Sequence, residues 1–286
     1  MNKPNGDNLF LYIKIKNMSH KWKEDEIIFL KENYPIYGYQ YCADKLNIDL
    51  QKIKGRINKL KLRLKDKTDI SLFSSIKTKE VAYILGLLWA DGNISNNHKN
   101  YDITLESTSE DMINIENIIM KTGNWNKYNI KGRLRNNKIC KDLICYRIGF
   151  KKLYDIFYEY DYKFKSTLAP YKVLNSIPEK LKHYFFLGLV DGDGCFYINK
   201  KIYTYQFTLA STYEQDWSYM IDLCKKINIS KYRVDLIQRK KSKSSTFRIC
   251  RKDDIKIIGE YIYQDYSKNK IGFMRKKEKF DKLLLI

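Results

Sequence analysis

Hydrophobic and polar positions divide this chain into a short helical front and a longer stretch whose pattern is written twice. In residues 19–64, Trp22, Ile27, Ile28, Phe29 and Leu30 follow Ser19, whose hydroxyl suits a helix N-cap, and Glu24, Asp25 and Glu26 lie near the helix start. Asn33-Tyr34-Pro35 is expected to stop this helix and Gly38 to end the loop after it. Tyr41, Cys42, Ala43 and Leu46 predict a second helix, broken around Asn47 to Asp49. Leu50, Ile53, Ile57, Leu60 and Leu64 recur at helical spacing and predict a third, with Lys52, Lys54, Arg56, Lys59, Lys61 and Arg63 largely on its other faces. Residues 1–18 read as an N-terminal arm and residues 65–77 as a polar linker.

Beyond residue 77 two apolar runs stand out, Ile84-Leu-Gly-Leu-Leu-Trp-Ala-Asp-Gly92 and Phe186-Leu-Gly-Leu-Val-Asp-Gly-Asp-Gly194. Each carries small residues four apart and stops at Asp-Gly, and Asp91 and Asp193 are 193 − 91 = 102 positions apart. The surroundings repeat in the same order. Tyr101 to Glu110 aligns with Tyr205 to Glu214, Tyr146-Arg147-Ile148 with Phe247-Arg248-Ile249, and Asp161-Tyr162 leading to Lys165 with Asp265-Tyr266 leading to Lys270. After each motif, Asn93-Ile94-Ser95 and Cys195 to Ile198 alternate as strands, then a Thr-Leu-x-Ser-Thr strand follows. Helices are expected around Met112–Lys121 and Asp216–Lys226. Basic segments at Arg133, Arg135 and Lys138, and at Arg233, Arg239, Lys240 and Lys241, read as a second hairpin. The expected organisation is a first repeat over 78–180 and a second over 181–286, each helix, strand pair, helix, strand pair, helix.

Charge narrows the choice of partner. The 286 residues carry 54 Lys+Arg against 33 Asp+Glu, a formal net charge of +21, with the bases spread along the whole chain. A phosphate backbone is the natural counterpart, bound with salt-sensitive affinity. An AT-rich genome also favours lysine codons, although codon bias alone does not produce the acid–base imbalance. The six cysteines include no Cys-x-x-Cys pair and no signal peptide precedes them, so a reducing intracellular compartment is expected. His20, His98 and His183 are too scattered for a structural zinc site. The longest apolar run, Val81 to Ala90, is far short of the roughly 20 residues of a membrane span and reads as a core helix.

The chemistry follows from the paired motif. Gly86 and Ala90, like Gly188 and Gly192, place small side chains one turn apart on a helix face, so two such helices can approach closely and set Asp91 beside Asp193. Two carboxylates held together repel unless a cation lies between them, which makes the pair a candidate magnesium site for phosphodiester hydrolysis. Taken singly, each aspartate is also an ordinary cap or turn residue. Strands with one apolar face and one basic, hydrogen-bonding face suit a sheet open to a DNA groove. Candidates for base reading are Asn93, Ser95, Tyr101, Arg133, Arg135, Tyr197, Asn199, Gln206, Arg233, Gln238 and Arg239, with Lys52, Lys54, Arg56 and Lys59 on the front module.

These motifs resemble those of single-chain, two-motif LAGLIDADG homing endonucleases, over roughly residues 78–286. The Trp, Tyr-Pro, Gly and Ala-x-x-Leu spacing of residues 19–64 resembles Myb-like helix-turn-helix modules, and a basic helical bundle without a ligand has the same pattern. The resemblance implies an α+β fold of tandem pseudo-two-fold αββαββα repeats forming a DNA-binding saddle, preceded by a small all-α helix-turn-helix domain. It implies Asp91 and Asp193, with the backbone carbonyls of Ala90 and Gly192, as ligands of two or three Mg²⁺ ions, Mn²⁺ substituting. Lys165 and Lys270 fall where the family has a basic residue near each active site, although in a lysine-rich chain they serve equally as general phosphate contacts. Trp89 departs from the pattern, since the second motif has Asp191 there; a non-catalytic carboxylate is lost and the metal pair is kept. The implied activity is a staggered double-strand break across the minor groove, with 3′ overhangs, in a long asymmetric site. A monomer without an obligate protein partner is expected, and with no intein junction pattern at either terminus, a free-standing or intron-encoded product. The alternative is an RNA maturase acting on intron RNA, or a non-cleaving DNA-binding regulator on the same scaffold.

Overall fold

The computed structural model describes residues 20–62, 68–97, 100–132, 134–135, 138–199, 204–239 and 242–285. They fall into two compact units, divided between residues 67 and 68. In the front unit, α1 spans Glu24–Leu46 and α2 spans Leu50–Lys59. The N–H of Lys23 donates to Glu26 at 3.0 Å, Asn47 closes α1 in the left-handed region, and Asp49 caps α2 by accepting from the N–H of Gln51 at 2.9 Å. Leu30, Tyr34, Cys42 and Ala43 of α1 pack on Ile53 and Ile57 of α2.

The break expected at Asn33-Tyr34-Pro35 does not occur. The helix runs through Pro35 and Gly38, so the described front unit is a pair of helices and not the three of a helix-turn-helix. A proline inside a helix costs about 3 kcal/mol in isolation. Here Leu30, Tyr34 and Cys42 lie on the face buried against α2, and that packing carries the helix across the proline. Ser19 and the arm of residues 1–18 lie outside the described residues.

Part of the expected linker belongs to the second unit. Thr68 is buried and accepts from the N–H of Asn124 at 3.0 Å. The short α3, Ser71–Ser74, buries Phe73, and Ile76 joins it in the main core.

The second unit reads α4 (Lys79–Asp91), β1 (Gly92–Asn97), β2 (Asn100–Thr108), α5 (Ser109–Met120), β3 (Asn126–Ile130), β4 (Leu134–Arg135), β5 (Lys138–Ile139), β6 (Leu143–Ile148) and α6 (Lys151–Glu159). After α7 (Tyr171–Ser176) the order recurs as α8 (Lys182–Asp193), β7 (Gly194–Asn199), β8 (Thr204–Ser211), α9 (Ser218–Lys226), β9 (Arg233–Arg239), β10 (Ser242–Ile249) and α10 (Lys252–Tyr263), followed by α11 (Tyr266–Asn269) and α12 (Met274–Leu284). Two four-stranded antiparallel sheets result, ordered β1-β2-β6-β3 and β7-β8-β10-β9, so the unit is α+β and internally repeated. The second hairpin is intact only in the second repeat. In the first, β3 ends at Ile130 and the basic stretch forms the separate two-stranded β4–β5 ribbon.

Helices α4 and α8 form the centre. Residues 81–89 and 183–191 are all buried, as expected for helices covered on every side. Their contact is made at the glycines. A Cβ on Gly86 would lie 1.9 Å from the carbonyl oxygen of Phe185, and one on Gly188 would lie 2.1 Å from that of Tyr83. The backbones therefore touch directly, and no side chain fits between them. Around this pair, Ile94, Ile103, Leu105, Tyr146 and Ile148 of one sheet and Phe196, Phe207, Leu209, Phe247 and Ile249 of the other complete the core.

Gly86→Ala or Gly188→Ala is expected to force the helices apart and destabilise the second unit by about 3 kcal/mol or more, lowering its thermal midpoint by roughly 6–12 °C. Gly55, inside α2 with open space for 4 Å around the point a Cβ would occupy, is the control. Gly55→Ala should raise the stability of the front unit by up to about 1 kcal/mol. Circular dichroism melts of the three variants check both signs.

Candidate active site

Helices α4 and α8 end at Asp91 and Asp193, and their ends abut, since a Cβ on Gly192 would lie 2.2 Å from the Cβ of Ala90 and 3.3 Å from Oδ2 of Asp91. Asp193 is half-buried, while Asp91 keeps a solvent-accessible edge although protein atoms crowd it. Burial, joined by the charge of Asp91, pushes Asp193 up to about 6 against the opposing pull of Lys165 and Lys276. Burial raises Asp91 in the same way, against the pull of Lys276 and Lys165.

Two lysines hold the helix ends. Lys165 Nζ donates to the carbonyls of Leu88 at 3.2 Å, Ala90 at 2.7 Å and Gly92 at 2.5 Å. Lys276 Nζ donates to those of Val190 at 2.8 Å, Gly192 at 3.1 Å and Gly194 at 2.9 Å, and also to Asp191. Leu88, Ala90 and Gly92 correspond to Val190, Gly192 and Gly194 at the motif offset of 102. Each ammonium thus occupies the equivalent cradle of carbonyls at a helix C-terminus, where Leu88 and Val190 also accept from the N–H of Gly92 and Gly194, at the negative end of the helix dipole. Burial pulls Lys165 down to about 8 against the attraction of Asp193 and Asp91, and it lowers Lys276 as well.

Lys276 takes the place expected for Lys270. Lys270 is exposed, closes α11 in the left-handed region and lies over the ring of Tyr266 at 5.6 Å. Aligning the repeats by sequence pairs Asp-Tyr with Asp-Tyr, but the second repeat inserts α11, and the matching signal is an aromatic residue three positions before the lysine. Tyr162 and Phe273 fill that role by different means. Tyr162 packs edge-on against Trp89 at 5.0 Å and donates to the carbonyl of Leu85 at 2.7 Å. The N–H of Phe273 donates at 2.8 Å to Oδ2 of Asp191, which also accepts from the hydroxyl of Tyr83 at 2.9 Å. Asp191, fully buried with Oδ1 unpartnered, is pushed up to about 6 by burial.

No hydrogen bond from a described residue reaches the carboxylates of Asp91 or Asp193, and burial raises both. Oxygen donors of that kind fit a hard divalent cation. Among the described residues no group of three or more His, Cys, Asp or Glu could hold a metal, so the remaining ligands would come from a bound phosphate and water. The Ala90 and Gly192 carbonyls already accept from the lysines, each with a second lone pair remaining.

Antiparallel partners share a sheet face, and this sorts the reading candidates. Asn93 and Ser95 lie on the face opposite the core, opposite Thr104 and Asp102. Tyr197, Asn199, Gln206, Arg233 and Arg239 lie on the corresponding face of the second sheet. Tyr101 does not: it shares the side of Ile103 and meets the ring of Tyr154 on α6 at 5.3 Å. Gln238 alternates with Arg239 and takes the side of Leu236, also away from the open face. Arg133 lies outside the described residues, and Arg135 is on the β4–β5 ribbon.

Sequence reasoning passes over the centre of each open face. Arg147 and Arg248, equivalent in the repeat, both stand there. Arg147 lies over the Tyr128 ring at 5.5 Å and 4.0 Å from Asp102, while Arg248 donates to Asp235 at 2.7 Å and to Gln206. Their recurrence at one offset between apolar neighbours is the available signal. On α2, Lys59 is exposed and Lys52 and Lys54 are half-buried, whereas Arg56 covers the Trp22 ring at 5.8 Å and serves the packing.

No family model matches the chain. An uncharacterized protein of Methanocaldococcus jannaschii, MJ0314, is 31% identical over 186 residues, 62% of this chain and 61% of its own length. The chain therefore spans about 61% of that relative. Among solved structures, the I-WcaI homing endonuclease bound to its DNA recognition sequence matches 74% of this chain and 91% of its own at 17% identity and a TM-score of 0.46. The I-LtrWI LAGLIDADG homing endonuclease bound to target DNA matches 76% and 90% at 15% identity and a TM-score of 0.42. Mesophilic variants of the homing endonuclease I-DmoI match 68% and 96% at 15% identity and a TM-score of 0.42.

Proposed function

We propose that the chain is a site-specific DNA endonuclease that makes a staggered double-strand break by divalent-metal-assisted hydrolysis. The observation that carries this reading is the doubled set at the abutting helix ends: Asp91 with Lys165 and Asp193 with Lys276. One carboxylate–lysine set for each strand is what cutting a duplex requires. The two open sheet faces, each centred on an arginine, then supply groove contacts, and a net charge of +21 draws the phosphate backbone. The lysines of α2 extend the footprint. Because the two halves differ in sequence, a single chain reads an asymmetric site without a partner subunit.

Asp91 and Asp193 would hold Mg²⁺ together with phosphate oxygens; when bound, the ion lowers the pKa of water and stabilises charge on the phosphate. Lys165 and Lys276 keep positive charge beside the carboxylates. At the helix ends they would balance the negative charge that grows on a phosphate bound there.

The test is cleavage of a randomised-site plasmid library in Mg²⁺, followed by rate measurements on the recovered site. Asp91→Asn and Asp193→Asn should each reduce cleavage by ~10³-fold or more, and Lys276→Met by ~10²-fold. Lys270→Met should stay within about 2-fold of the parent rate. If the parent protein binds DNA or intron RNA tightly and cuts nothing, the maturase or regulator reading replaces this one.

A second expectation concerns pH in EDTA. The folded-state pKa of Asp193 is raised from 3.8 to about 6, so the protonated form favours folding. That contribution is full below pH 3.8 and is lost as pH rises through about 6. Asp193→Asn should therefore match the parent in stability at about pH 3.5 and exceed it by about 2 kcal/mol at about pH 8. Urea melts at the two pH values measure the difference.

A further inference from the structure

Each lysine-bearing segment is held from two sides, and the second side belongs to the opposite repeat. After Lys165, Gln215 Nε2 donates to the carbonyl of Leu168 at 3.0 Å, the N–H of Asp216 donates to that of Thr167 at 2.9 Å, and the Thr212 hydroxyl donates to that of Ser166. Before Lys276, Arg275 donates from Nε and Nη2 to the two carboxylate oxygens of Asp111, both at 2.7 Å. Asp111 and Gln215 are equivalent residues, 215 − 111 = 104 positions apart, the offset that aligns β2 with β8. Both are buried, Asp111 at 1% and Gln215 at 8% exposure, and each is steadied by its own neighbour. The Thr108 hydroxyl donates to Asp111 at 3.0 Å and the Ser211 hydroxyl to Gln215 at 2.8 Å.

We propose that Asp111 and Gln215 are positioning residues, each seating the active-site lysine of the opposite repeat: Asp111 sets Lys276 through Arg275, and Gln215 sets Lys165 through the Leu168 carbonyl. The assignment rests on the endonuclease reading above. Neither residue touches a reacting atom. Each acts by fixing a short segment against the β–α corner across the pseudo-two-fold, so that an ammonium reaches its carbonyl cradle only when both repeats are docked. The two braces are unequal: a bidentate charged pair serves Lys276, and neutral hydrogen bonds serve Lys165. Loss of one brace therefore loosens one lysine and leaves the other seated, which impairs one strand's cleavage and spares the other's.

The experiment uses the full chain and a supercoiled plasmid carrying the selected site, with the nicked strand mapped on denaturing gels. Asp111→Asn is paired with the double variant Asp111→Asn/Arg275→Gln, which removes the other side of the same brace without leaving a buried carboxylate unpaired. Gln215→Met keeps the volume and removes the donor. We expect each variant to slow one strand by on the order of 10- to 100-fold with DNA affinity nearly unchanged. Asp111→Asn and the double variant should accumulate plasmid nicked in one strand, and Gln215→Met plasmid nicked in the other. Equal slowing of both strands, or a weakened Kd with unchanged single-turnover rate, overturns the proposal. Should the parent protein cut no plasmid, the endonuclease reading fails, and hydrogen exchange decides the bracing alone. Asp111→Asn should then speed exchange in residues 273–276 and not in 162–168, and Gln215→Met should do the reverse; unchanged exchange in both overturns it.

Discussion

The site depends on one steric fact: two helices touch through their backbones because Gly86 and Gly188 have no side chains. Close approach sets the helix axes, and the axes set where the helices end. Both end at an aspartate followed by glycine, so one contact delivers two carboxylates to one place. The apolar faces that surround the contact are committed to it, since every residue from Val81 to Trp89 and from His183 to Asp191 is buried. A helix with no polar face has no alternative register that keeps its surface from water. The same packing that stabilises the unit therefore holds the two aspartates together among protein atoms, and burial displaces their protonation upward, with the charge of Asp91 adding to the rise at Asp193.

Two helix C-termini and two carboxylates at one point concentrate negative charge, and the lysines answer it locally. A compact ammonium with three donors suits a cradle of three or four carbonyl oxygens, which a planar guanidinium fork would not fill. Arginine is used instead where the partner is a carboxylate with two oxygens, as Asp111 is for Arg275. The division of labour between the two cations at adjacent positions 275 and 276 follows from donor geometry. It also keeps the lysines from quenching the aspartates outright. Their donors go to backbone oxygens, and the carboxylates are left free to bind a cation and a phosphate.

How much of this was legible in the sequence depends on how local the controlling interaction is. The glycine contact and the helix-to-strand transition after it were legible, because four-residue spacing of small side chains and an Asp-Gly stop are local signals. The repeat was legible because duplicated strands keep their alternation. What failed was set by tertiary packing or by insertion. Pro35 is a strong local stop, yet burial of Tyr34 and Cys42 on one side of α1 carries the helix past it. Lys276 was missed because α11 lengthens the path to it, so a fixed distance from the motif pointed to Lys270. Tyr101 and Gln238 show the limit of picking polar residues from strands: the pleat decides the face, and a one-residue error in phase turns a side chain to the other side of the sheet. Arg147 and Arg248 were visible as a matched pair but not as a site, since alignment reveals equivalence and only register reveals exposure.

The departures from symmetry are as physical as the symmetry. At the position where the second repeat has Asp191, the first has Trp89, and the two solve one problem, that of anchoring the aromatic residue three places before the lysine. Trp89 does so by ring contact with Tyr162, which needs no polar partner and tolerates complete burial. Asp191 does so by accepting the Phe273 N–H, and its buried charge is made tolerable by Lys276 and the Tyr83 hydroxyl. An apolar anchor is indifferent to charge at the site, whereas an ionic one is coupled to it. Together with the charged brace at Asp111 and the neutral one at Gln215, this gives the half bearing Lys276 an ionic support and the half bearing Lys165 a largely uncharged one. A chain built from two copies of one unit thus holds two geometrically matched lysines in electrostatically different settings, and one half can be tuned without disturbing the helix contact that both share.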